Sequence, residues 1–468
     1  MSQSRARRSG RRAAVLLLAA VLLLVLAGVG TAAAWTTGRL NTLVCGGPCG
    51  PEAVADPLAL DRSATVSTVR PDEPVAGGLD PAAVAAAVDG PLAADALGGR
   101  VAISVVDPVS GEEVLRTGPD ALVPASTTKV LTAAAALAVL DPQRRFETTV
   151  ERDGDRVVLV GGGDPYLARE PEEDDRIARA DVRTLAERTA VALREAGVGQ
   201  VSVGYDASLF TGPVGSAGWE ESYLRNQVVT PVTALWVDRG IRDGRRTSDP
   251  AREAAGAFAQ GLQAEGIDLV GRIAEVSAPG TTPVARVEGP TVAQAVEALT
   301  ASSSNEASEV MARHVAIAEG EPATFEGAAR AIASALSAAD VPIDGLRLDD
   351  GSGLARSNRI DPTTLSTVLA RAAGGRDWPQ LLTGLPIGGF TGTLDDRFED
   401  SAAAGAGVVR AKTGTLTGVH SLAGYTLDAR GVPVVFAVLA DDTEGINPFE
   451  TQAALDRVAA ALASCTCG

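Results

Sequence analysis

Val130 to Leu140 reads Val-Leu-Thr-Ala-Ala-Ala-Ala-Leu-Ala-Val-Leu, eleven residues without a charge. Ala and Leu favour a helix, and Asp141-Pro142 stops it. A helix that is apolar all round has no face for water, so the fold must pack against every side of it. Just before this segment stand Ser126 and Lys129. A spacing of three residues puts both side chains on one helical face. The peptide dipoles at a helix start favour developing negative charge there. The chain must therefore hold a serine hydroxyl beside an amine at the edge of its core.

Lysine is otherwise nearly absent. Lys and Arg together number 41, and only Lys129 and Lys412 are lysine. Arg stays protonated in proteins, whereas a buried Lys gives up its proton readily. Keeping Lys at two places implies an amine that must sometimes be neutral. Both stand in hydroxyl-rich runs, Pro124-Ala125-Ser126-Thr127-Thr128-Lys129 and Ala411-Lys412-Thr413-Gly414-Thr415.

Hydrophobic residues make up 46% and aromatics only 3%, so the core is built from small aliphatics. The formal charge of −18 argues against nucleic-acid binding, which needs a basic face. His314 and His420 are the only histidines, too few for a His-rich metal site or an easily assembled Ser-His-Asp triad.

The first twelve residues hold five arginines and no acid, and Ala13 to Ala34 then runs 22 residues without charge. That length spans a bilayer, and the Arg cluster keeps the N-terminal side cytoplasmic. The run exceeds a usual signal core, which favours an uncleaved anchor. Ala32-Ala33-Ala34 offers a cleavage site for the alternative, a signal peptide and a secreted product. Either way the rest of the chain is extracytoplasmic. Export with four cysteines, Cys45, Cys49, Cys465 and Cys467, favours disulfides. Three connectivities are open. We expect bridges from the N-terminal stalk to the C-terminus, with a four-thiolate zinc site as the minor alternative.

Residues 1–35 are tail and anchor or signal peptide, and 36–77 a linker rich in Thr, Pro, Gly and Asp. Leu79 to Leu97 is helical by composition. Arg100 to Asp107 and Glu112 to Thr117 pattern as strands about the turn Pro108-Val109-Ser110-Gly111. A change of texture follows. Strands at Val157 to Val160 and Val201 to Tyr205 alternate with helices at Val182 to Ala196 and Pro250 to Glu265. We read 148–283 as an accessory domain inserted between two parts of a catalytic domain, 78–147 and 284–468. In the last part, helices over Thr291 to Leu299, Glu306 to Ala318, Phe325 to Ala339 and Pro362 to Ala372 precede three strands, Val408 to Lys412, His420 to Leu427 and Val432 to Leu439. A helix over Pro448 to Ala463 closes the chain. Strands at both ends with helices between give an α+β fold, an antiparallel sheet flanked by helices.

Ser126 is the candidate nucleophile, and neutral Lys129 the base that a hydroxyl needs. Ser303 and Asn305 form a Ser-x-Asn motif, with Ser302 as a competing register. The serine can relay a proton to a leaving amine, and the Asn amide can hold a substrate backbone. Lys412 supplies positive charge near Ser303 and a substrate carboxylate. Gly414 lets a substrate strand approach, and Thr413 and Thr415 offer hydroxyls to the carboxylate. The amides of Ser126 and Thr415 would form an oxyanion hole. Asp350, Ser352 and Arg356 fit a rigid supporting loop equally well, and His420 fits strand filler.

Ser126-x-x-Lys129, Ser303-x-Asn305 and Lys412-Thr413-Gly414, in this order, are the motifs of penicillin-interacting serine enzymes. The chain resembles the D-alanyl-D-alanine carboxypeptidase/endopeptidases of the penicillin-binding protein 4 type. Further likeness lies in Asn305 to Glu309, in Asp350-Gly351-Ser352-Gly353-Leu354, in Leu385-Pro386-Ile387-Gly388-Gly389 with Gly392-Thr393-Leu394 and Arg397, and in Gly161-Gly162-Gly163-Asp164-Pro165. Ser304 stands where that family often has Asp or Asn. The resemblance implies the penicillin-binding protein/serine β-lactamase-like transpeptidase fold. It also implies peptidoglycan stem peptides ending in D-Ala-D-Ala as substrate, β-lactams as inhibitors, and no metal or cofactor. A serine β-lactamase shares the three motifs. A silent cell-wall scaffold is the reading from another class.

Overall fold

The computed structural model describes residues 78–172, 177, 179–375 and 377–468. The expected anchor, the linker, Cys45 and Cys49 lie outside the described residues.

Helix α1 (Pro81–Leu92) starts on the Asp80 carboxylate, which accepts from the Ala82 amide. Strands β1 (Val101–Val106) and β2 (Glu113–Thr117) form a hairpin. A 3-10 turn, Ala125–Thr127, leads into α2 (Thr128–Val139). Strands β3 (Arg145–Asp153) and β4 (Arg156–Val160), helix α3 (Val182–Glu195), strand β5 (Gln200–Asp206) and helix α4 (Pro250–Ala264) follow. Strand β6 (Ala285–Thr291) returns the chain to a helical run: α5 (Val292–Ser302), α6 (Asn305–Ala318), α7 (Phe325–Ala338) and α8 (Pro362–Ala373). Strands β7 (Arg410–Leu416), β8 (Val419–Leu427) and β9 (Pro433–Ala440) and helix α9 (Pro448–Ser464) end it.

The principal sheet has the order β7-β8-β9-β1-β2 and is antiparallel throughout. Its first and last parts meet where β1 pairs β9, with Val101 opposite Ala440 and Val106 opposite Val435. Strand β9 shows why both faces are covered. Val434, Phe436 and Val438 pack with α1 and α9, whereas Val435, Ala437 and Leu439 pack with α2 and α8. Alternate side chains of a strand leave on opposite faces, so a continuous apolar run needs cover on both. Helix α2 fulfils the opening constraint: Thr128 through Leu137 are all buried.

A second sheet, β6-β3-β4-β5 with residues 268–269 at its edge, packs its core against α3 and α4. Strands β3 and β6 had no clear sequence signal. Arg145–Asp153 alternates charged, exposed residues with only two apolar ones, Phe146 and Val150. Pairing with β4 on one side and β6 on the other makes it a strand.

Cys465 is bonded to Cys467, which corrects the expected bridges to the stalk for these two cysteines. Helix α9 ends at Ser464 and Cys465 is extended, leaving the two Cα atoms 5.3 Å apart. A loop this short closes at little entropic cost compared with one spanning the chain. Among the described residues, no helix is long and apolar enough to cross a membrane.

Candidate active site

Ser126 sits in the tight turn that feeds α2, partly exposed among buried neighbours. Ala125 before it has φ 49°, a left-handed conformation unusual for a residue with a Cβ. Such strain persists only when the surroundings hold it, and here they do. Thr127 Oγ1 donates to the Pro124 carbonyl at 2.7 Å, Thr128 Oγ1 to that of Ala125 at 2.8 Å, and Ser421 Oγ to that of Pro124 at 2.6 Å.

Lys129 is completely buried on the first turn of α2. Its Nζ lies 2.8 Å from Ser126 Oγ, 2.8 Å from Asn305 Oδ1 and 2.6 Å from the Ser352 carbonyl oxygen. A neutral amine has two protons and one lone pair. The two pure acceptors, Asn305 Oδ1 and Ser352 O, take the protons. The lone pair then faces the only partner that can donate, the Ser126 hydroxyl. Burial lowers the Lys129 pKa to about 8, against the opposing pull of Asp350, Glu309 and Glu306.

Helix α5 ends at Ser302, and Ser303 takes a left-handed turn with φ 57°. Ser304 then caps α6, its Oγ accepting from the Ala307 amide at 3.2 Å. A serine suffices for a cap, so its departure from the expected Asp or Asn leaves the geometry whole. The turn aims Ser303 Oγ at Lys412 Nζ, 2.8 Å away, and starts α6 with Asn305 beside Lys129. Ser302 instead bonds back to the Ala298 carbonyl.

Lys412 is also fully buried, and its Nζ donates to the Thr413 carbonyl at 2.7 Å. Burial, with Lys129 nearby, holds its pKa well below the usual lysine range. Thr413 Oγ1 donates to Thr393 Oγ1 at 2.8 Å. Strand β7 runs close to the nucleophile: Gly414 pairs with Ser421, and Pro124 O and Ser126 N crowd its Cα. A cleft of about 420 Å³ opens here, lined by Ser126, Ser303, Thr393, Thr413 and Thr415. A larger cavity of about 640 Å³ is lined by Ser302 and by none of the other candidate residues. Among the described residues, no group of His, Cys, Asp and Glu is placed to hold a metal ion.

The match to known proteins spans nearly the whole described chain, this cleft included. Residues 84–243 and 241–462 match the D-Ala-D-Ala carboxypeptidase 3 (S13) family. The chain belongs to that family. It is 36% identical over 80% of its length to Carboxypeptidase Rv3627c of Mycobacterium tuberculosis, covering 83% of that protein. It is 34% identical to Carboxypeptidase DacB of Mycolicibacterium smegmatis over 95% of both chains. In fold it is similar to penicillin binding protein 4 of Haemophilus influenzae, with a TM-score of 0.66, 20% identity, and coverage of 81% of this chain and 98% of the other. The principal sheet with its flanking helices is the penicillin-binding fold expected from the motifs.

This S13 chain brings together all eight residues singled out from sequence: Ser126, Lys129, Ser303, Asn305, Lys412, Thr413, Gly414 and Thr415. Sequence reasoning missed three contributors. The Ser352 carbonyl touches Lys129, Thr393 touches Thr413, and Ser421 pins the turn before Ser126. The first two lie in runs whose likeness to the family was noted. The hint was there, but no side-chain chemistry distinguished a backbone carbonyl. His420 is buried on β8, with Nδ1 3.0 Å from Thr443 Oγ1.

Proposed function

We propose that this S13 chain is a serine-type D-Ala-D-Ala carboxypeptidase acting on peptidoglycan stem peptides through an acyl-enzyme on Ser126. The observation that carries this is the buried Lys129 amine, 2.8 Å from Ser126 Oγ with its other contacts both acceptors.

The Ser126 O–H proton passes to Lys129 as Oγ bonds to the carbonyl carbon of the penultimate D-Ala. The oxyanion forms against the amides of Ser126 and Thr415, an arrangement worth about 3–4 kcal/mol per donor in comparable sites. The C–N bond then breaks as Ser303 passes its proton to the departing amine and takes one from the Lys412 ammonium, whose Nζ lies 2.8 Å from Ser303 Oγ. Thr413 and Thr415 hold the terminal carboxylate, and Lys412 answers its charge. A substrate carboxylate favours the charged form of Lys412, opposing the burial that lowers its pKa. Asn305 holds the substrate backbone. Water later hydrolyses the ester.

Cleavage of cross-linked peptides uses the same chemistry with a larger leaving group. The Arg-rich start and uncharged run support an extracytoplasmic enzyme with an N-terminal anchor, which cell fractionation checks. β-Lactams should acylate Ser126, because their strained amide presents the same carbonyl. Mass spectrometry of the purified ectodomain after brief benzylpenicillin exposure tests this. A stable adduct on the peptide carrying Ser126 is expected. Rapid drug consumption without an adduct would favour a β-lactamase, and no reaction a silent scaffold.

A further inference from the structure

Glu309 is 1% exposed, one helical turn beyond Asn305 on α6. Its carboxylate accepts from the Ser352 amide at 2.8 Å and from the Gly351 amide at 3.1 Å. The Gly351 carbonyl accepts from Thr132 Oγ1 at 2.7 Å and from Ser308 Oγ at 2.8 Å. A Cβ on Gly351 would meet the Ala312 methyl at 2.7 Å, so this loop lies as close to α6 as a backbone can. The Ser352 carbonyl in turn accepts from Lys129 Nζ at 2.6 Å. The path from Glu309 to the base is thus one residue, Ser352, and two hydrogen bonds.

We propose that Glu309 is a positioning residue for the base: it presents the Ser352 carbonyl to Lys129 Nζ, and its negative charge favours the ammonium that Lys129 becomes on taking the Ser126 proton. This rests on the reading of Lys129 as the base. A carboxylate with both oxygens occupied by amides cannot turn away, and in a dry site its field is poorly screened. The step needs no co-reactant. The Ser126 O–H bond breaks, its proton goes to the Nζ lone pair, and Oγ bonds to the carbonyl carbon.

The charged groups facing Glu309 are Lys129 from α2, Asp350 from the loop and Arg313 from its own helix. Glu306, a turn away, is paired with Arg246 at 2.9 Å. Asp350 accepts from Trp219 Nε1, Asn358 Nδ2 and the amides of Gly353 and Ala355. Arg313 lies over the Phe325 ring and donates to the Ala323 carbonyl rather than to a carboxylate. Burial, then Asp350, raises the Glu309 pKa to about 7.

The test is the pH dependence of the second-order acylation rate with benzylpenicillin, for wild type, Glu309→Gln, Glu309→Asp and Thr132→Val. Glu309→Gln should lower the rate about 10-fold or more at pH 7.5, the scale of loss when a reacting group is misplaced. It should also move the rise that tracks Lys129 deprotonation to lower pH by about half a unit or more, since removing a nearby anion disfavours the ammonium. Thr132→Val, which loosens the same loop without touching charge, should lower the rate and leave the rise in place. Glu309→Asp keeps the charge but not the reach, and covers the case in which Glu309→Gln does not fold. It should slow acylation with the rise unmoved. A wild-type rate in Glu309→Gln or Glu309→Asp, or a slow Glu309→Gln whose rise has not moved, overturns the proposal. Failure of the underlying reading looks different: Lys129→Arg would then acylate normally.

Discussion

Gly414 crosses the Ser126 amide with no room for a methyl group: a Cβ there would stand 3.0 Å from Ser126 N, 2.7 Å from Pro124 O and 2.2 Å from Ser421 Oγ. The tight approach sets β7 beside the turn of the nucleophile. Gly414→Ala must push the two apart. We expect acylation by benzylpenicillin to fall about 100-fold, the usual loss when an oxyanion donor is displaced. The overpacking should cost about 1–3 kcal/mol of stability, read from the urea midpoint. Normal acylation in a folded Gly414→Ala would remove the strand from the oxyanion hole.

Lys129→Arg keeps a positive charge and loses the base. Arg does not deprotonate in proteins, so acylation should drop by about 1,000-fold or more, the larger part of what a general base contributes. In the wild type the rate should climb as pH rises through about 8, because only the neutral amine accepts the Ser126 proton. A rate independent of pH between 6 and 9 would contradict this role.

If Lys412 supplied only a plain charge, Lys412→Arg would be milder than Lys129→Arg. The enclosed geometry changes that expectation. Lys412 is 0% exposed and held between Ser303 Oγ and the Thr413 carbonyl. A guanidinium is larger, and extra volume in a packed site displaces its neighbours. We expect a loss of about 10- to 100-fold in kcat/KM on a D-Ala-D-Ala peptide. Stability should change less than catalysis, which thermal unfolding checks.

Asp164 offers a prediction about stability alone. It is buried, its Oδ1 accepts from the Tyr166 amide, and its Oδ2 has no partner. Burial raises its pKa to about 7, above the ordinary carboxyl value of an unfolded chain. The folded state therefore holds the proton more tightly. Its contribution is complete at low pH and is lost as pH rises through about 7. Asp164→Asn cannot ionise, so its Tm should gain on the wild type between pH 5 and pH 8. Glu309 titrates in the same range and is common to both proteins. A constant Tm difference across that range would show that Asp164 does not ionise in the fold.

Much of this site was legible before any coordinates. A chain that writes Arg almost everywhere and Lys twice marks the two amines by itself. The uncharged run from Val130 to Leu140 announces a helix that must be enclosed, and the structure encloses it. Strands β8 and β9 and helices α6 and α8 fell close to their expected bounds, because period and caps are local signals, whereas β7 runs to Leu416, four residues past its expected end at Lys412. The supports were harder to see. Glu309 stood in a recognised run without an evident task, since its partners are two backbone amides 42 and 43 residues away. Strand β3 was illegible, being made by its neighbours rather than by its own pattern. The Cys465–Cys467 bond was misread because cysteine count says nothing about which thiols meet.

The sequence by itself determined the reacting groups and their local spacing. Ser126 and Lys129 are one turn apart, and the Ser303 to Asn305 and Lys412 to Thr415 runs have fixed internal geometry, because helix and strand periods are short-range. Only the tertiary structure decided the shifts in proton affinity and the assembly. Lys129 is fit for the proposed role of base because α2 carries it into the core, where charge is poorly solvated, and because Asn305 and Ser352, from distant parts of the chain, offer acceptors to its protons. Desolvation and contacts across such separations are properties of the packed molecule, and no stretch of sequence contains them.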